Sequence, residues 1–341
     1  MRIFASIADP DVGDNHTATI LWGDGTGVMP ITNVTSLSTV GESHTYGDNG
    51  DYVISLIATD SAGAIAIKTI NVTVLNEEPI LTWNTPLHDR LYSFPSGKEY
   101  VVVEVDEVIN SGKAKASDFG SDDLAFLWEW SGSTVTNMYY NNGKDADPSN
   151  SPAGTFPFRA TDRINVAYNK VGIDSLRVTV TDDDGAVSRS RSTNILVTGK
   201  QRRAKTTSWW KEQYWPFRGD QVLSSKTTMA YIDMINALSS VFSKDNKLRT
   251  RADVYNVLYP TGGSERKRAR KALLVAWLQF VSGAIQIDEI VPTGKQRWAY
   301  TTVLDLLTEA ESVILDRSSR PKQLERVRRD LKKITVAFER L

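Results

Sequence analysis

The stretch "SHTYGDNGDYVISLIATDSAGA", residues 43–64, decides the fold of the first part of the chain. A tyrosine and a glycine-rich turn precede an alternating run rich in β-branched residues, and an Asp-Ser-Ala-Gly turn follows that run. Alternation with a period of two is typical of a strand with one buried face, and Gly, Asp and Asn favour turns. The stretch therefore predicts one β-strand between two tight turns.

A second copy of this pattern, "VAYNKVGIDSLRVTVTDDDGA", lies at residues 166–186. Five positions match between the copies: Tyr46 with Tyr168, Gly50 with Gly172, Asp60 with Asp182, Gly63 with Gly185, and Ala64 with Ala186. Such self-similarity predicts two consecutive units of one type. In each unit the tyrosine hydroxyl is expected to hold a crossing loop, as the tyrosine corner of β-sandwiches does.

Short alternating runs fill the rest of residues 1–199, among them "TATILW", "YVVVEV", "LAFLWEW" and "STNILVT". Turns built from Gly, Asp, Asn and Ser separate these runs. That spacing favours β-sandwiches over βαβ units.

The residues around the first copy resemble the polycystic kidney disease (PKD) domain, an immunoglobulin-like sandwich. The shared pattern is a Trp strand, the Gly-Asp-Gly turn of "WGDGTG", a His-Thr-Tyr and a strand ending in Asp-x-x-Gly. The second copy is more divergent, since Ser-Gly-Ser replaces Gly-Asp-Gly and Val-Ala-Tyr replaces His-Thr-Tyr. The resemblance implies two immunoglobulin-like PKD sandwiches, at residues 1–77 and 78–198, with an insert at 134–163 in the second.

The PKD resemblance also implies a location. These modules occur as tandem spacers or binding modules in secreted and surface proteins of microbes, usually beside another activity. An extracellular or cell-surface location is therefore expected. The opening "MRIFASIADPDVGD" has no apolar signal-peptide region. We expect the chain to be the C-terminal piece of a longer exported protein.

Residues 199–341 change to helical periodicity and predict an all-α domain of about five helices. Apolar residues recur at steps of three and four: Met229, Ile232, Ile235, Leu238 and Phe242. Thr250 is a predicted helix N-cap, and "SERKRARKALLVAWLQFVSGA" reads as a buried helix. Trp209, Trp210 and Lys211 with "LLVAWLQFVSG" resemble C-terminal modules of microbial surface proteins. The helical domain is expected to be a terminal anchoring or assembly module.

The charge is divided between the two parts of the chain. Residues 1–199 contain 13 Lys and Arg against 26 Asp and Glu, a net charge of −13, and residues 200–341 contain 27 against 15, a net charge of +12. The basic part favours attraction to an anionic cell-envelope polymer, an acidic glycan or the acidic part of a neighbouring surface protein. An extracellular setting disfavours nucleic acid as the partner. The alternative is that these basic residues bind no partner and simply form a solvated helix face.

Calcium is the one cofactor that the sequence suggests. Aspartates that lie in turns are candidate ligands: Asp9, Asp11, Asp24 and Asp60 in the first copy, and Asp122, Asp182 and Asp184, beside Asp118, in the second. Ca²⁺ takes six to eight oxygen ligands, which clustered carboxylates supply. The alternative is that Asp is simply a favourable turn residue. No segment has the spacing of an EF-hand loop.

An aromatic cluster at the start of the basic part has two interpretations. Trp209, Trp210, Tyr214 and Trp215 either bind a carbohydrate or a partner through their rings, or attach the first helix to the core. Aromatic side chains bury large areas and dominate cores, so attachment to the core is the favoured interpretation.

Compact catalytic signatures are missing from the sequence. It contains no HExxH, no GxSxG, no phosphate-binding loop and no cysteine, and the three histidines, His16, His44 and His88, lie far apart. The chain is therefore predicted to be no enzyme. The predicted function is a non-catalytic extracellular segment, with its PKD repeats as spacer or adhesion modules and its helical domain as an anchor. The alternative is the accessory end of a secreted protease or glycoside hydrolase whose catalytic domain lies upstream.

Overall fold

The computed structural model describes residues 1–11, 13–26, 29–35, 39–84, 89–141, 155–217, 219, 221–243, 246–260, 262–292 and 300–338. These residues form nineteen strands and seven helices. Seventeen strands precede the first helix, and the remaining two form a hairpin between the fifth and sixth helices. The chain is therefore β-rich in its first two hundred residues and mainly helical after them.

Residues 1–74 form the first β unit. Its strands are β1 Arg2–Ser6, β2 Asn15–Leu21, β3 Met29–Thr35, β4 Thr39–Ser43, β5 Gly50–Thr59 and β6 Ile65–Val74. Four of them make an antiparallel sheet in the order β3-β2-β5-β6, and β1 pairs with β4. Inward side chains from both sheets, such as Ala18, Ala58 and Val40, pack in a common core.

The Gly-Asp-Gly turn and the His-Thr-Tyr segment meet at one end of the first β unit. The Asp24 carboxylate accepts hydrogen bonds from the Thr26 backbone and hydroxyl and lies 2.5 Å from His44 Nε2. The His44 ring stacks on Trp22, with 4.7 Å between the ring centroids. Gly23 has φ +86°, and a Cβ there would lie 2.7 Å from the Val53 carbonyl oxygen. The contacts of Trp22, Asp24 and His44 therefore hold the Gly-Asp-Gly turn in place. The close approach of Gly23 to Val53 packs that turn against β5.

Residues 80–198 form the second β unit. Its strands are β7 Ile80–Asn84, β8 Leu91–Ser93, β9 Glu99–Glu104, β10 Val108–Asn110, β11 Lys113–Ser117, β12 Leu124–Trp130, β13 Ser133–Tyr139, β14 Arg159–Asp162, β15 Asn165–Ala167, β16 Gly172–Asp182 and β17 Arg191–Thr198. A six-stranded sheet, β13-β12-β16-β17-β9-β8, faces a three-stranded sheet, β14-β11-β7. Their core contains Phe126, Trp128 and Val178 from the first and Ala114 and Ala116 from the second.

The insert predicted at residues 134–163 is partly regular structure. Strand β13 pairs antiparallel with β12, with Val135 opposite Trp128, and β14 pairs with β11. Both ends of the predicted insert form strands, because alternating side chains there extend the two sheets. Its middle, residues 142–154, lies outside the described residues.

Strands β5 and β16 confirm the repeat in their end geometry. Each starts at a glycine with positive φ, 140° at Gly50 and 148° at Gly172, where a side chain would be strained. After each strand an aspartate Oδ1 accepts the alanine N–H four residues on, at 2.7 Å in both Asp60 and Asp182. The matched positions thus form the same turn twice.

The tyrosine-corner expectation is confirmed in one unit and wrong in the other. The Tyr46 hydroxyl donates to the Trp22 carbonyl at 3.0 Å. The Tyr168 hydroxyl is buried and has no hydrogen-bond partner among the described residues. The second copy has Ser-Gly-Ser in place of the Gly-Asp-Gly turn that follows Trp22 in the first.

Removing the two hydroxyls is expected to have opposite consequences. Tyr46→Phe should lower the free energy of unfolding by about 0.5–1.5 kcal/mol, the net contribution of one hydrogen bond. Tyr168→Phe should leave it unchanged or raise it, because a buried hydroxyl without a partner disappears. Urea denaturation of both variants measures the difference, and a loss of stability in Tyr168→Phe equal to that in Tyr46→Phe contradicts the assignment.

The helical region begins at residue 207. Its elements are α1 Thr207–Tyr214, α2 Ser225–Leu238, α3 Ser240–Ser243, α4 Arg251–Leu258, α5 Glu265–Val281, β18 Ile290–Pro292, β19 Tyr300–Thr302, α6 Val303–Leu315 and α7 Pro321–Phe338. Among the described residues, no helix combines the length and the apolar character that crossing a membrane requires. The hairpin of β18 and β19 has no counterpart in the sequence-based prediction.

The described residues form seven helices where about five were predicted, and one of the predicted helices is two. The apolar series through Phe242 is interrupted at Ser239, which has an extended backbone conformation and ends α2. Its hydroxyl accepts hydrogen bonds from the N–H groups of Val241 and Phe242, both at 3.1 Å, and so begins α3. The predicted N-cap at Thr250 is confirmed, in a capping box with Asp253.

The helical region and the second β unit share one hydrophobic core. Strand β9 is buried on both faces. Val101 and Val103 point into the core between the two sheets of the second β unit, whereas Tyr100 and Val102 pack with the helices. Backbone contacts add to this, since Gly199 N–H donates to the Val281 carbonyl at 3.0 Å. The division predicted at residue 199 therefore separates elements that are packed together.

Candidate functional site

A cavity of about 810 Å³ lies between α1, α5, α7 and the turn that follows α4. We call it the basic cavity, because five cationic side chains line it: Lys211, Arg268, Lys271, Arg328 and Lys332. No carboxylate, imidazole or thiol is among its described lining residues. The lining is therefore suited to holding an anionic group and offers no acid–base pair.

Three lysines of the basic cavity have no carboxylate partner among the described residues. Glu265 pairs with both Arg268 and Arg328, at 3.1 Å in the second case. Among the described residues, no carboxylate forms an ion pair with Lys211, Lys271 or Lys332. Three neighbouring ammonium groups without anions repel one another, which favours the binding of an anion.

The electrostatics of Lys271 reflect this crowding. Burial lowers the pKa of its ammonium group, and the positive charges of Lys211 and Lys332 lower it further. The Lys211 ammonium also lies 4.7 Å from the centroid of the Tyr259 ring, a cation–π distance. An anion bound between the lysines removes the repulsion and stabilises their charged forms.

The start of α5 adds to the positive potential of the cavity. Gly262 and Gly263 line the cavity immediately before Ser264, whose hydroxyl accepts from the Lys267 backbone N–H at 3.3 Å. Gly262 has φ +87°, so the turn requires glycine there. The N-terminus of a helix of seventeen residues carries a partial positive charge that favours anions.

The aromatic candidates divide between core and surface. Trp210 and Tyr214 are fully buried, so they cannot stack on a surface ligand, and the Tyr214 hydroxyl donates to the Thr228 carbonyl at 3.2 Å. This is the core alternative that the sequence analysis favoured. Trp209 is partly buried, and Trp215 is 39% exposed beside Tyr255.

The aspartates of the first copy lie in turns. Asp9 Oδ2 is 2.9 Å from His16 Nε2, and its Oδ1 accepts the Asp11 N–H at 2.8 Å. Burial alone raises the pKa of Asp24, but hydrogen bonds from Thr26 and His44 lower it below its ordinary value. Among the described residues, the acidic groups that could hold a metal ion include none of Asp9, Asp11, Asp24 and Asp60. His88 lies outside the described residues.

The candidate aspartates of the second copy do come together. Asp122 and Asp184 form one group with Asp48, and Asp122 forms another with Asp118 and Asp182. Within each group, one carboxylate oxygen of each residue lies within 4.8 Å of the others. We call these five residues the acidic junction. Sequence reasoning missed Asp48, because its role depends on how the first β unit meets the second.

Burial and like charges perturb the acidic junction. Burial, together with the charges of Asp118 and Asp183, raises the pKa of Asp122 to about 8. Burial also raises the pKa of Asp118 and of Asp182. In the described part of the chain, no lysine or arginine forms an ion pair with Asp118, Asp122, Asp182 or Asp184. Ionisation of these residues is therefore not compensated by an ion pair with a cation among the described residues.

No protein-family model matches the sequence, and no curated protein matches it either. Among solved structures, the fibronectin(III)-like modules of Clostridium thermocellum CbhA align with a TM-score of 0.22 and 16% identity, over 58% of this chain and 94% of theirs. Domains FN1–FN3 of chicken CNTN1 align with a TM-score of 0.19 and 6% identity, over 57% and 61%.

A third solved structure, the transglutaminase of red sea bream, aligns with a TM-score of 0.22 and 12% identity, over 59% of this chain and 29% of its own. Two of the three similar structures are thus fibronectin-III-like β-sandwich modules. At these TM-scores the likeness supports no inference about function.

Proposed function

We propose that this chain is a non-catalytic segment of an extracellular or cell-surface protein, in which the helical region binds an acidic glycan. The two β units act as PKD-like, immunoglobulin-like spacer or adhesion modules. The observation that carries the proposal is the basic cavity, in which Lys211, Lys271 and Lys332 converge without a carboxylate partner among the described residues.

The PKD resemblance supports the modular part of the proposal. The same strand and turn occur at Gly50 and again at Gly172, with the same aspartate contacts afterwards. The second β unit packs on the helices, so an anchored helical region fixes the direction in which that unit points. This is the arrangement that a spacer attached at one end requires.

The size and chemistry of the basic cavity favour a glycan with several carboxylates. A volume of about 810 Å³ accommodates more than one small ion. Threonine hydroxyls at Thr206, Thr207 and Thr335 and the Tyr259 ring line the same space as the cations. Hydroxyls and an aromatic face suit sugar rings, while the lysines suit uronate carboxylates.

Binding to polygalacturonate tests the proposal, with dextran as the uncharged control polymer. We expect saturable binding that weakens with added salt, because exposed charges are screened. The triple variant Lys211→Gln, Lys271→Gln, Lys332→Gln should lose about tenfold or more in affinity, since hydrogen bonds to charged groups each contribute about 1.5–3 kcal/mol. Isothermal titration calorimetry of the full chain provides the measurement.

A matched variant separates the cavity from the overall charge. Lys226→Gln, Lys247→Gln, Lys322→Gln removes the same charge from exposed lysines outside the cavity lining. It should keep its affinity within about twofold of the unchanged protein. Equal losses in the two triple variants overturn the proposal, and so does tighter binding of a single-stranded DNA oligonucleotide than of polygalacturonate.

A further inference from the structure

The acidic junction lies where the two β units meet. Asp48 belongs to the loop between β4 and β5 of the first unit. In the second unit, Asp118 and Asp122 belong to the loop between β11 and β12, Asp182 is the last residue of β16, and Asp184 lies in the turn that follows. Ser121 N–H donates to the Gly47 carbonyl at 2.6 Å across this contact. Asn76, which follows β6, donates to Asp182 Oδ2 at 3.1 Å. The aspartates therefore belong to an interface inside the chain.

One buried carboxylate oxygen in the acidic junction is without a hydrogen-bond partner. Asp118 is 1% exposed, and its Oδ1 accepts the Gly120 N–H at 2.7 Å. Its Oδ2 is buried and accepts no hydrogen bond from any described residue. Buried polar atoms are nearly always paired, because an unpaired one loses its hydration without compensation. The unpaired Asp118 Oδ2 therefore indicates a site for a cation that carboxylate oxygens coordinate.

We propose that the acidic junction binds Ca²⁺ and that the bound ion clamps the first β unit to the second. Oxygens on opposite sides of one Ca²⁺ lie about 4.6–5.2 Å apart, twice the usual Ca–O distance. The carboxylate oxygens of each group lie within 4.8 Å of one another, which fits one ion. Asp122 belongs to both groups and is the central ligand.

The ligand set favours Ca²⁺ over other common cations. Every side chain of the two groups is a carboxylate, a hard oxygen ligand, with no histidine or cysteine among them. Soft metals such as Zn²⁺ prefer nitrogen and sulfur. Mg²⁺ demands near-ideal octahedral geometry at shorter distances and retains its waters, whereas Ca²⁺ tolerates irregular sites.

The clamp has a direct electrostatic basis. The carboxylate oxygens of each group lie within 4.8 Å of one another, so their negative charges repel. A divalent cation converts that repulsion into attraction and draws the loop of Asp48 to the two loops of the second unit. This inference is independent of the basic cavity, which lies in the helical region.

Calcium titration of the full chain tests the proposal. After removal of cations with a chelator, isothermal titration calorimetry with CaCl₂ should show saturable binding with a Kd of about 10⁻³ M or tighter. The midpoint of thermal unfolding of the first β unit should rise with Ca²⁺, since a ligand stabilises the state that it binds. Mg²⁺, added as MgCl₂, should bind with an affinity at least about tenfold lower than that of Ca²⁺. No binding heat with Ca²⁺, or equal binding of Mg²⁺, overturns the assignment.

Variants identify the ligands and the bridge. Asp122→Asn and Asp48→Asn should each weaken Ca²⁺ binding by about tenfold, because the charge count of the ligands sets the affinity. Asp184 is exposed, so Asp184→Asn cannot disturb the core and serves if either buried variant fails to fold. Asp11→Asn, in a turn outside the junction, should bind as the unchanged protein does. Unaltered affinity in Asp122→Asn overturns the site, and unaltered affinity in Asp48→Asn overturns the clamp.

Discussion

Replacing Glu311 by alanine is expected to destabilise the helical region by about 3–5 kcal/mol, the usual cost of removing one partner from a buried charged network. The Glu311 carboxylate on α6 is buried and accepts the Trp277 indole N–H at 2.9 Å and the Ser240 backbone N–H at 2.7 Å. It also accepts the Val241 N–H at 3.3 Å. Truncation to alanine leaves the Trp277 and Ser240 donors buried without this acceptor, whereas the Val241 N–H keeps the Ser239 hydroxyl as its acceptor.

The measurement is guanidinium denaturation followed by far-ultraviolet circular dichroism at 222 nm. Glu309→Ala provides the control on the same helix, since Glu309 is about half exposed and pairs at the surface with Arg326. Surface ion pairs contribute about 0–1 kcal/mol, so this control should change the stability little. Equal effects of the two substitutions are incompatible with a structural role for the buried carboxylate.

The role of Glu311 illustrates a limit of sequence reasoning. In "TTVLDLLTEAESVILD" the apolar periodicity of α6 is clear, and both glutamates read as members of its solvent face. Burial raises the pKa of Glu311, and hydrogen bonds from Ser239, Trp277 and Ser240 oppose that rise. These partners come from α2, α3 and α5, so the contact depends on how four helices pack.

Local signals were sufficient for the turns and most strands. The Asp60 and Asp182 turns, the Thr250 cap and the Tyr46 hydroxyl contact depend on residues close in sequence or on one neighbouring strand. The acidic junction required more. Asp122, Asp182 and Asp184 were candidates as turn aspartates, but their convergence with Asp48 depends on contacts between the two units.

The sequence of β9 contains a signal for the core that the second β unit shares with the helices. The run "YVVVEV" contains four consecutive apolar residues, Tyr100 to Val103. A strand with one solvent-exposed face would instead alternate apolar and polar residues. Continuous apolar runs are typical of strands buried on both faces. The run therefore indicates that a further layer covers β9, and the structure shows that the helices form that layer.

Replacing Phe94 by alanine is expected to lower the stability of the second β unit and the helical region together, by about 3–5 kcal/mol. Phe94 lies in the hairpin between β8 and β9 and is 3% exposed. Its ring contacts those of Tyr100, Trp277 and Phe280 at centroid distances of 6.0–6.3 Å. Removal leaves a cavity between the sheet and α5, which neither element fills alone.

The same hairpin makes polar contacts with the end of α2. Ser96 N–H donates to the Leu238 carbonyl at 3.0 Å, and the Ser240 hydroxyl donates to the Pro95 carbonyl at 2.7 Å. These hydrogen bonds hold the Phe94 backbone in place. The stability that Phe94→Ala loses therefore comes from side-chain packing. Denaturant unfolding should show one transition for the sheet and the helices in the unchanged protein.

Phe217→Ala makes the matched control, because Phe217 is 90% exposed and its truncation removes no core contact. It should change the free energy of unfolding by less than about 0.5 kcal/mol. In Phe94→Ala, the transition of the sheet and helices should move to lower denaturant while that of the first β unit stays in place, since the described rings that contact Phe94 all belong to the second β unit or the helical region. If the helices unfold at unchanged denaturant while the sheet weakens, the two do not share a cooperative core, because a common core transmits the loss to both sides.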